Sequence, residues 1–166
     1  MIDERTFTAH AQPGWMSWDE YSPEEDFCRF VGMLQRMLQP AVVLETGVGV
    51  GRITGYLDLE LCTFLGFESD PDWRRAPADP GRGTPADADM AVADLVILDS
   101  EPTMRLAEIA MWDRVGKPGS VCIVHDCGNG HPDGAMHSVL GARCRATGAA
   151  GLMLRNPRGG WVGIHR

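Results

Sequence analysis

The sequence predicts an α/β fold: a doubly wound, mostly parallel sheet covered by helices on both faces, with a C-terminal antiparallel β-hairpin at one edge. Three observations carry that expectation. Short apolar runs at 42–44, 62–67, 93–98 and 121–124 each stop at a polar ionisable residue, respectively Glu45, Glu68, Asp99 and His125-Asp126. Continuous runs of this length fit strands buried on both faces. Helical patterns lie between most of these runs, and strands alternating with helices indicate a parallel sheet. The last two strand patterns, 151–156 and 160–164, flank Pro157-Arg158-Gly159, a hairpin signal.

Residues 1–22 show no periodicity but carry Trp15, Trp18 and Tyr21. Such an aromatic arm either covers a cleft or packs on the single domain expected over 23–166. Ser22-Pro23-Glu24-Glu25 reads as a helix start, with a capping serine, a proline at the first helical position and acids near the positive dipole end. Phe27, Phe30, Val31, Leu34, Met37 and Leu38 recur at helical spacing and predict one buried face, and Pro40 ends the helix. The first strand then runs into Glu45-Thr46-Gly47-Val48-Gly49-Val50-Gly51-Arg52. Glycines at alternate positions permit positive φ and remove the Cβ atoms that would hold a ligand off the backbone. A helix of about two turns is expected over 51–59, its first N–H groups facing that ligand.

The second strand ends at Glu68, which lies 23 residues after Glu45. At that interval a second-strand acid can reach a ribose hydroxyl pair, and a carboxylate can accept from both hydroxyls. The alternative is a strand end with a solvated charge. Pro71, Pro77, Pro80 and Pro85, with Gly81 and Gly83, leave little room for a full helix and strand, so the region 70–93 is expected to be shortened, with a short strand or extended loop near 86–90. A third strand ends at Asp99, and a helix over 104–115 should turn Leu106, Ile109, Ala110 and Trp112 inward. Lys117-Pro118-Gly119-Ser120 is a turn, the next strand ends at His125-Asp126, and a helix follows over 135–146.

At 166 residues the chain is of one-domain size, and its hydrophobic fraction of 44% is ordinary for a globular protein. A net charge of −8 argues against nucleic acid as a partner, although Arg143, Arg145, Arg155, Arg158 and Arg166 could form a local basic patch. No apolar run approaches the ~20 residues that span a bilayer. The N-terminus has acids where a signal peptide needs a basic and then an apolar segment, so a cytoplasmic location is expected. The five cysteines are odd in number and form no C-x-x-C pair, which fits reduced thiols and not a zinc site. Cys28, Cys62 and Cys122 read as small core residues. Cys127, next to Asp126, is either a loop residue beside the site or a reactive thiol.

The glycine spacing separates two classes of ligand. Dinucleotide folds use G-x-G-x-x-G, and the position of the third glycine is Arg52 here. A nicotinamide-dependent oxidoreductase is further disfavoured by the absence of a Tyr-x-x-x-Lys pair. The pattern present, E-x-G-x-G-x-G, resembles motif I of the class I S-adenosylmethionine-dependent methyltransferases. Glu68, Asp94-Leu95-Val96-Ile97-Leu98-Asp99, Lys117-Pro118-Gly119 and Val124-His125-Asp126 follow in the order of that superfamily, and the latter segments are similar to small-molecule O-methyltransferases of the catechol and the antibiotic- or sugar-tailoring types.

The resemblance implies a Rossmann-like fold that binds S-adenosylmethionine through Glu45, Gly47, Gly49, Gly51, Glu68 and Asp99, and a small-molecule methyl acceptor. Asp87 or Asp89 could bond the adenine amino group, with Met90 or Trp73 against the ring; an exposed acidic loop is the alternative. His125 has the pKa range of a base, with Asp99 and Asp126 as its catalytic companions, or else it orients or packs at the strand end. Asp99 and Asp126 could instead hold a divalent cation such as Mg2+. Metal-dependent members carry a second acid or amide beside the last aspartate, where this chain has His125 and Cys127. Related sequences often have a histidine shortly after the Asp99 position, where this one has Ser100-Glu101-Pro102. His131 and His137 are alternative bases. Acceptor recognition falls to the arm, the 127–134 loop or a partner subunit of a homo-oligomer. The shortened 70–93 region also admits a binding protein that keeps the fold without catalysis.

Overall fold

In a computed structural model of the chain the described residues are 23–49, 51–69, 81–128, 134–155 and 158–166. The elements run α1 (Glu25–Leu38), β1 (Val42–Thr46), β2 (Thr63–Glu68), β3 (Gly81–Arg82), α2 (Asp87–Val92), β4 (Leu95–Leu98), α3 (Pro102–Val115), β5 (Val121–His125), α4 (Gly134–Arg145), β6 (Ala150–Leu154) and β7 (Gly160–Ile164). They build one sheet in the order β3-β2-β1-β4-β5-β7-β6. The strands from β3 to β5 are mutually parallel, and β7 lies antiparallel between β5 and β6. This is the doubly wound sheet with a C-terminal antiparallel hairpin that the sequence predicts.

Alternation along the central strands sorts their side chains into two cores. Val43, Leu95, Ile97 and Ile123 face α1, where they pack with Phe27, Val31 and Ile53. Leu44, Val96, Leu98, Cys122 and Val124 face the other way and pack with Met90, Ile109, Trp112, Leu140 and Trp161. Each buried aliphatic side chain contributes roughly 1.5–3 kcal/mol. Both faces of β4 are therefore buried, which explains why its sequence is apolar without a break.

Local expectations are corrected in several places. Residues 51–59 do not form a helix of two turns; short 3₁₀ turns stand at Thr54–Tyr56 and Leu59–Leu61. The cause is Gln35 on α1, whose Nε2 donates to the Asp58 carbonyl (2.9 Å) and whose Oε1 accepts from the Asp58 N–H (3.1 Å). Those are the backbone groups a continuous helix would use for itself. Residues 86–90 are neither strand nor extended loop, because α2 starts there; Asp89 accepts the Ala86 N–H at 2.8 Å and acids fill its first turn. The short strand of this region is β3, at Gly81–Arg82.

On α1, Phe27, Cys28, Val31, Gly32 and Gln35 are the buried residues, whereas Met37 is 75% and Leu38 43% exposed. The apolar stripe thus turns away from the sheet in its last turn. The helix starts at Glu25 with Glu24 at the capping position, so Pro23 and Glu24 precede it instead of forming its first turn. On α3, Arg105 and Glu108 join Ile109 and Trp112 on the buried face. The expected arm, 1–22, lies outside the described residues. Among the described residues no helix is long and apolar enough to cross a membrane.

Candidate active site

Adjacent parallel strands whose connections leave in opposite directions open a crevice beyond their carboxyl ends. In this sheet that place lies between β1 and β4, where the chain continues to β2 on one side and to β5 on the other. The loop after β1 carries the glycines and the loop after β4 carries Asp99, so both land there.

Gly47 is held at φ +68°, and a Cβ on it would lie 2.3 Å from the Asp99 carbonyl oxygen. Its role is to let the β1 loop touch the end of β4. Gly49 differs: at φ +56° a Cβ would meet, among the described residues, nothing nearer than the Gly47 oxygen at 3.9 Å. Here the left-handed backbone borders space that no described residue fills, as a ligand cradle requires. Gly51 is also left-handed, at φ +79°. Backbone bonds hold the loop over β2, with the Gly47 N–H on the Phe67 carbonyl at 2.9 Å and the Gly51 N–H on the Val48 carbonyl at 2.8 Å.

Two acids serve this loop from below and from the side. Glu68, at the end of β2, is nearly buried and accepts the Gly49 N–H at 2.8 Å. The sequence interval between Glu45 and Glu68 thus becomes a direct contact between the second strand and the glycine loop. Glu45 is buried and accepts from the Thr54 hydroxyl at 2.7 Å. Burial, opposed by that hydrogen bond and reinforced by the Asp99 and Glu68 charges, lifts its carboxyl to about 8. After Gly51 the described chain enters a three-residue 3₁₀ turn, Thr54–Tyr56, and not an α-helix.

Beyond the ends of β4 and β5 lies a second cluster. His125 is fully buried, its Nδ1 3.0 Å from Asp99 Oδ1 and 3.3 Å from Asp126 Oδ1, its Nε2 2.7 Å from Glu24 Oε2. Burial alone would push the imidazole down. The Asp99 and Asp126 charges and the hydrogen bonds with Asp99 and Glu24 override it and raise His125 to about 10. The Phe27 ring lies over it at 4.4 Å between centroids, a favourable surface for an imidazolium.

The acids are matched by arginines. Arg158 grips both oxygens of Asp126, Nε to Oδ1 at 2.6 Å and Nη2 to Oδ2 at 2.7 Å. Arg105 reaches Asp99 Oδ1 at 3.3 Å and the His125 carbonyl at 2.7 Å, and also donates to the Ser100 carbonyl. Although burial works the other way, the His125 and arginine charges with the Arg158 hydrogen bond hold the Asp126 carboxyl well below the usual range. Glu24 is lowered as well, since its bond to His125 and the His125 charge outweigh its burial. Under this cluster Glu108 accepts from both the Thr46 hydroxyl (2.9 Å) and the Ser100 hydroxyl (2.6 Å), tying the ends of β1 and β4 together. Burial raises the Glu108 carboxyl despite these bonds.

The structure thus gathers Glu45, Gly47, Gly49, Gly51 and Glu68 at the glycine loop, and Asp99, His125 and Asp126 beside it. It does not bring in the residues suggested for the adenine ring. Met90 is wholly buried in the core, Asp87 pairs with Arg114 through two 2.8 Å bonds, and Asp89 caps α2. Trp73 and His131 lie outside the described residues, and His137 is buried on α4. Cys127 is buried and its thiol is raised by its hydrogen bond to Cys144 and by burial, so it is not a reactive thiolate. Arg158 is 4% exposed and so contributes nothing to a surface basic patch.

Glu24, Arg105, Glu108 and Arg158 were not foreseen. For Arg105 and Glu108 a signal existed: they share the helical face of Ile109 and Trp112. For Arg158 the decisive fact is the β5–β7 register, which pairs His125 with Gly160.

No family model matches the sequence, and no curated protein matches it. Solved structures do resemble it. The O-methyltransferase from Bacillus cereus in complex with SAH (S-adenosylhomocysteine) aligns with a TM-score of 0.71 over 98% of this chain and 88% of that chain, at 13% identity. A SAH-bound methyltransferase of Podospora anserina aligns at 0.72 over 98% and 86%, at 11% identity. The O-methyltransferase TomG from Streptomyces achromogenes, involved in tomaymycin synthesis and in complex with SAM (S-adenosylmethionine), aligns at 0.65 over 88% and 82%, at 13% identity. At such identities the likeness is one of fold. This chain has the Rossmann-like fold of the S-adenosylmethionine-dependent O-methyltransferases.

Proposed function

We propose that the chain is an S-adenosylmethionine-dependent methyltransferase acting on a hydroxyl oxygen of a small molecule. The observation that carries this reading is the contact of Glu68 with the Gly49 N–H, beside space left open by the described residues at the topological switch point. It joins a left-handed glycine cradle to an acid in the place where a ribose diol would be held. Glu68 places an acid at the loop, which suits a ligand with cationic sulfonium and ammonium groups better than a pyrophosphate, while the buried Glu45 serves through its hydrogen bond with Thr54. When bound, the donor would supply an electrophilic methyl group: the acceptor oxygen would bond to the methyl carbon as the carbon–sulfur bond breaks, S-adenosylhomocysteine would leave, and the acceptor proton would pass to solvent.

The side chains around the acceptor have defined tasks in this reading. His125, held as a cation by Asp99, Asp126 and Glu24, cannot take the acceptor proton in that state; it and Asp99 position and polarise. An acceptor whose hydroxyl ionises readily, such as an acidic phenol, then needs no protein base. The test is release of S-adenosylhomocysteine with a panel of phenols and sugar alcohols. Turnover of acidic phenols ahead of alcohols is expected, and turnover of neither removes the catalytic reading.

A second reading is a binding protein that retains the fold without catalysis. It is favoured by one observation, the pairing of Asp99, His125 and Asp126 with other charges instead of an outward-facing base. Methyl transfer to any acceptor eliminates it. Location in the cytoplasm and assembly into a homo-oligomer belong to the same proposal and are checked by fractionation and light scattering.

A further inference from the structure

Asp99, His125 and Asp126 each offer a ligand atom, and these atoms lie within 4.8 Å of one another, as a divalent cation would require. Their surroundings do not fit one. Both oxygens of Asp126 are held by the Arg158 fork, at 2.6 and 2.7 Å. Asp99 Oδ1 already faces Arg105 and His125 Nδ1. Both ring nitrogens of His125 are engaged, Nδ1 by Asp99 at 3.0 Å and Nε2 by Glu24 at 2.7 Å, so neither is turned toward a metal. Hard divalent cations take about six oxygen ligands, and the acids here are spent on guanidinium groups whose planar donors match a carboxylate.

We propose that this cluster stands in place of a divalent cation site, and that Arg158 is the residue that keeps the cation out. Arg158 is placed for this by two independent parts of the fold. The β7 hairpin brings it over Asp126, and its backbone N–H donates to Glu24 Oε1 at 3.1 Å, anchoring it to the start of α1. A dication entering between Asp99 and Asp126 would have to expel a guanidinium that is 4% exposed and leave it without its carboxylate. Asp126 itself sits at φ +52°, a conformation aspartate tolerates, which presents its carboxylate to Arg158. For the methyl-transfer reading, on which this consequence rests, the acceptor need not offer the chelating oxygen pair that a metal would bind.

The experiment is Mn2+ titration of the EDTA-stripped full chain, followed by the electron paramagnetic resonance of unbound Mn2+ and by the thermal midpoint. Neither readout depends on methyl transfer, so failure here is distinct from failure of the proposed activity. The wild type is expected to take up no stoichiometric Mn2+ and to show the same midpoint with Mn2+ as with EDTA. Arg158→Ala, with folding verified by circular dichroism, is expected to bind Mn2+ at least about tenfold more tightly than the wild type, and Arg158→Lys to remain like the wild type. One equivalent of Mn2+ bound by the wild type overturns the proposal, a result that needs no variant to fold. So does a folded Arg158→Ala that gains no affinity.

Discussion

Gly47 and Gly49 are two residues apart and answer to different demands. Gly47→Ala would drive a Cβ into the Asp99 carbonyl, 2.3 Å away, in addition to the left-handed backbone penalty. Gly49→Ala meets open space and suffers only that penalty, about 1–2 kcal/mol. Urea denaturation should therefore show Gly47→Ala as much the less stable, while Gly49→Ala folds and loses ligand affinity. Equal stability of the two variants would contradict the assignment. For Glu68→Ala the expected result is S-adenosylhomocysteine binding weakened roughly 10- to 100-fold, the value of one or two hydrogen bonds to a charged group, with the fold retained by circular dichroism. Unchanged affinity by calorimetry would remove Glu68 from the site. The residues legible in the sequence were those that end an apolar run: Glu45, Glu68, Asp99 and His125 each mark where a buried strand meets the carboxyl edge. Glu24 and Arg158 were not, because their meeting depends on bonds across the fold to Asp126, His125 and each other.

At the scale of elements, α1 is fastened to the sheet by an unusual joint. Glu24 stands just before the helix and binds His125 Nε2 with one oxygen and the Arg158 N–H with the other. Glu24→Ala leaves both donors unsatisfied in a largely buried setting, at a cost of about 1–3 kcal/mol per group. The midpoint of chemical denaturation should fall accordingly, and a variant as stable as wild type would show that the joint contributes nothing. The same element explains a misreading. The 51–59 segment has the length of a short helix, yet Gln35 of α1 takes both backbone groups of Asp58 and splits it into 3₁₀ turns. Local sequence does not contain that contact. At 86–90 the cause is different: the prolines and glycines upstream suggest a short strand or extended loop, but Pro85 and the acids suit a helix start, and Met90 fills the core. The long central strands were legible because burial on both faces leaves an uninterrupted apolar run.

For the whole molecule, the buried ionisable groups set how stability depends on pH. Glu45 is raised from 4.5 to about 8, so folding takes up a proton between those values and stability falls as pH rises through that window. His125 is raised from 6.5 to about 10; its contribution is complete below 6.5 and is lost as pH climbs through 10. Glu24 and Asp126 are lowered, so their contribution is present above their ordinary values of 4.5 and 3.8 and disappears on acidification. Maximal stability is expected near about pH 5, and Glu45→Gln should reduce the fall between about pH 5 and pH 8 by up to ~1.4 kcal/mol per unit. Denaturation curves across that range check it, and an unaltered slope in the variant would place the proton elsewhere.

The sheet, its switch point and its glycine loop all bear on one claim, that the loop holds S-adenosylmethionine. Isothermal titration of the wild-type chain with S-adenosylhomocysteine and, separately, with NAD tests it most directly. Saturable one-to-one binding of S-adenosylhomocysteine with no heat from NAD is the expected result. Binding of NAD without S-adenosylhomocysteine would contradict it.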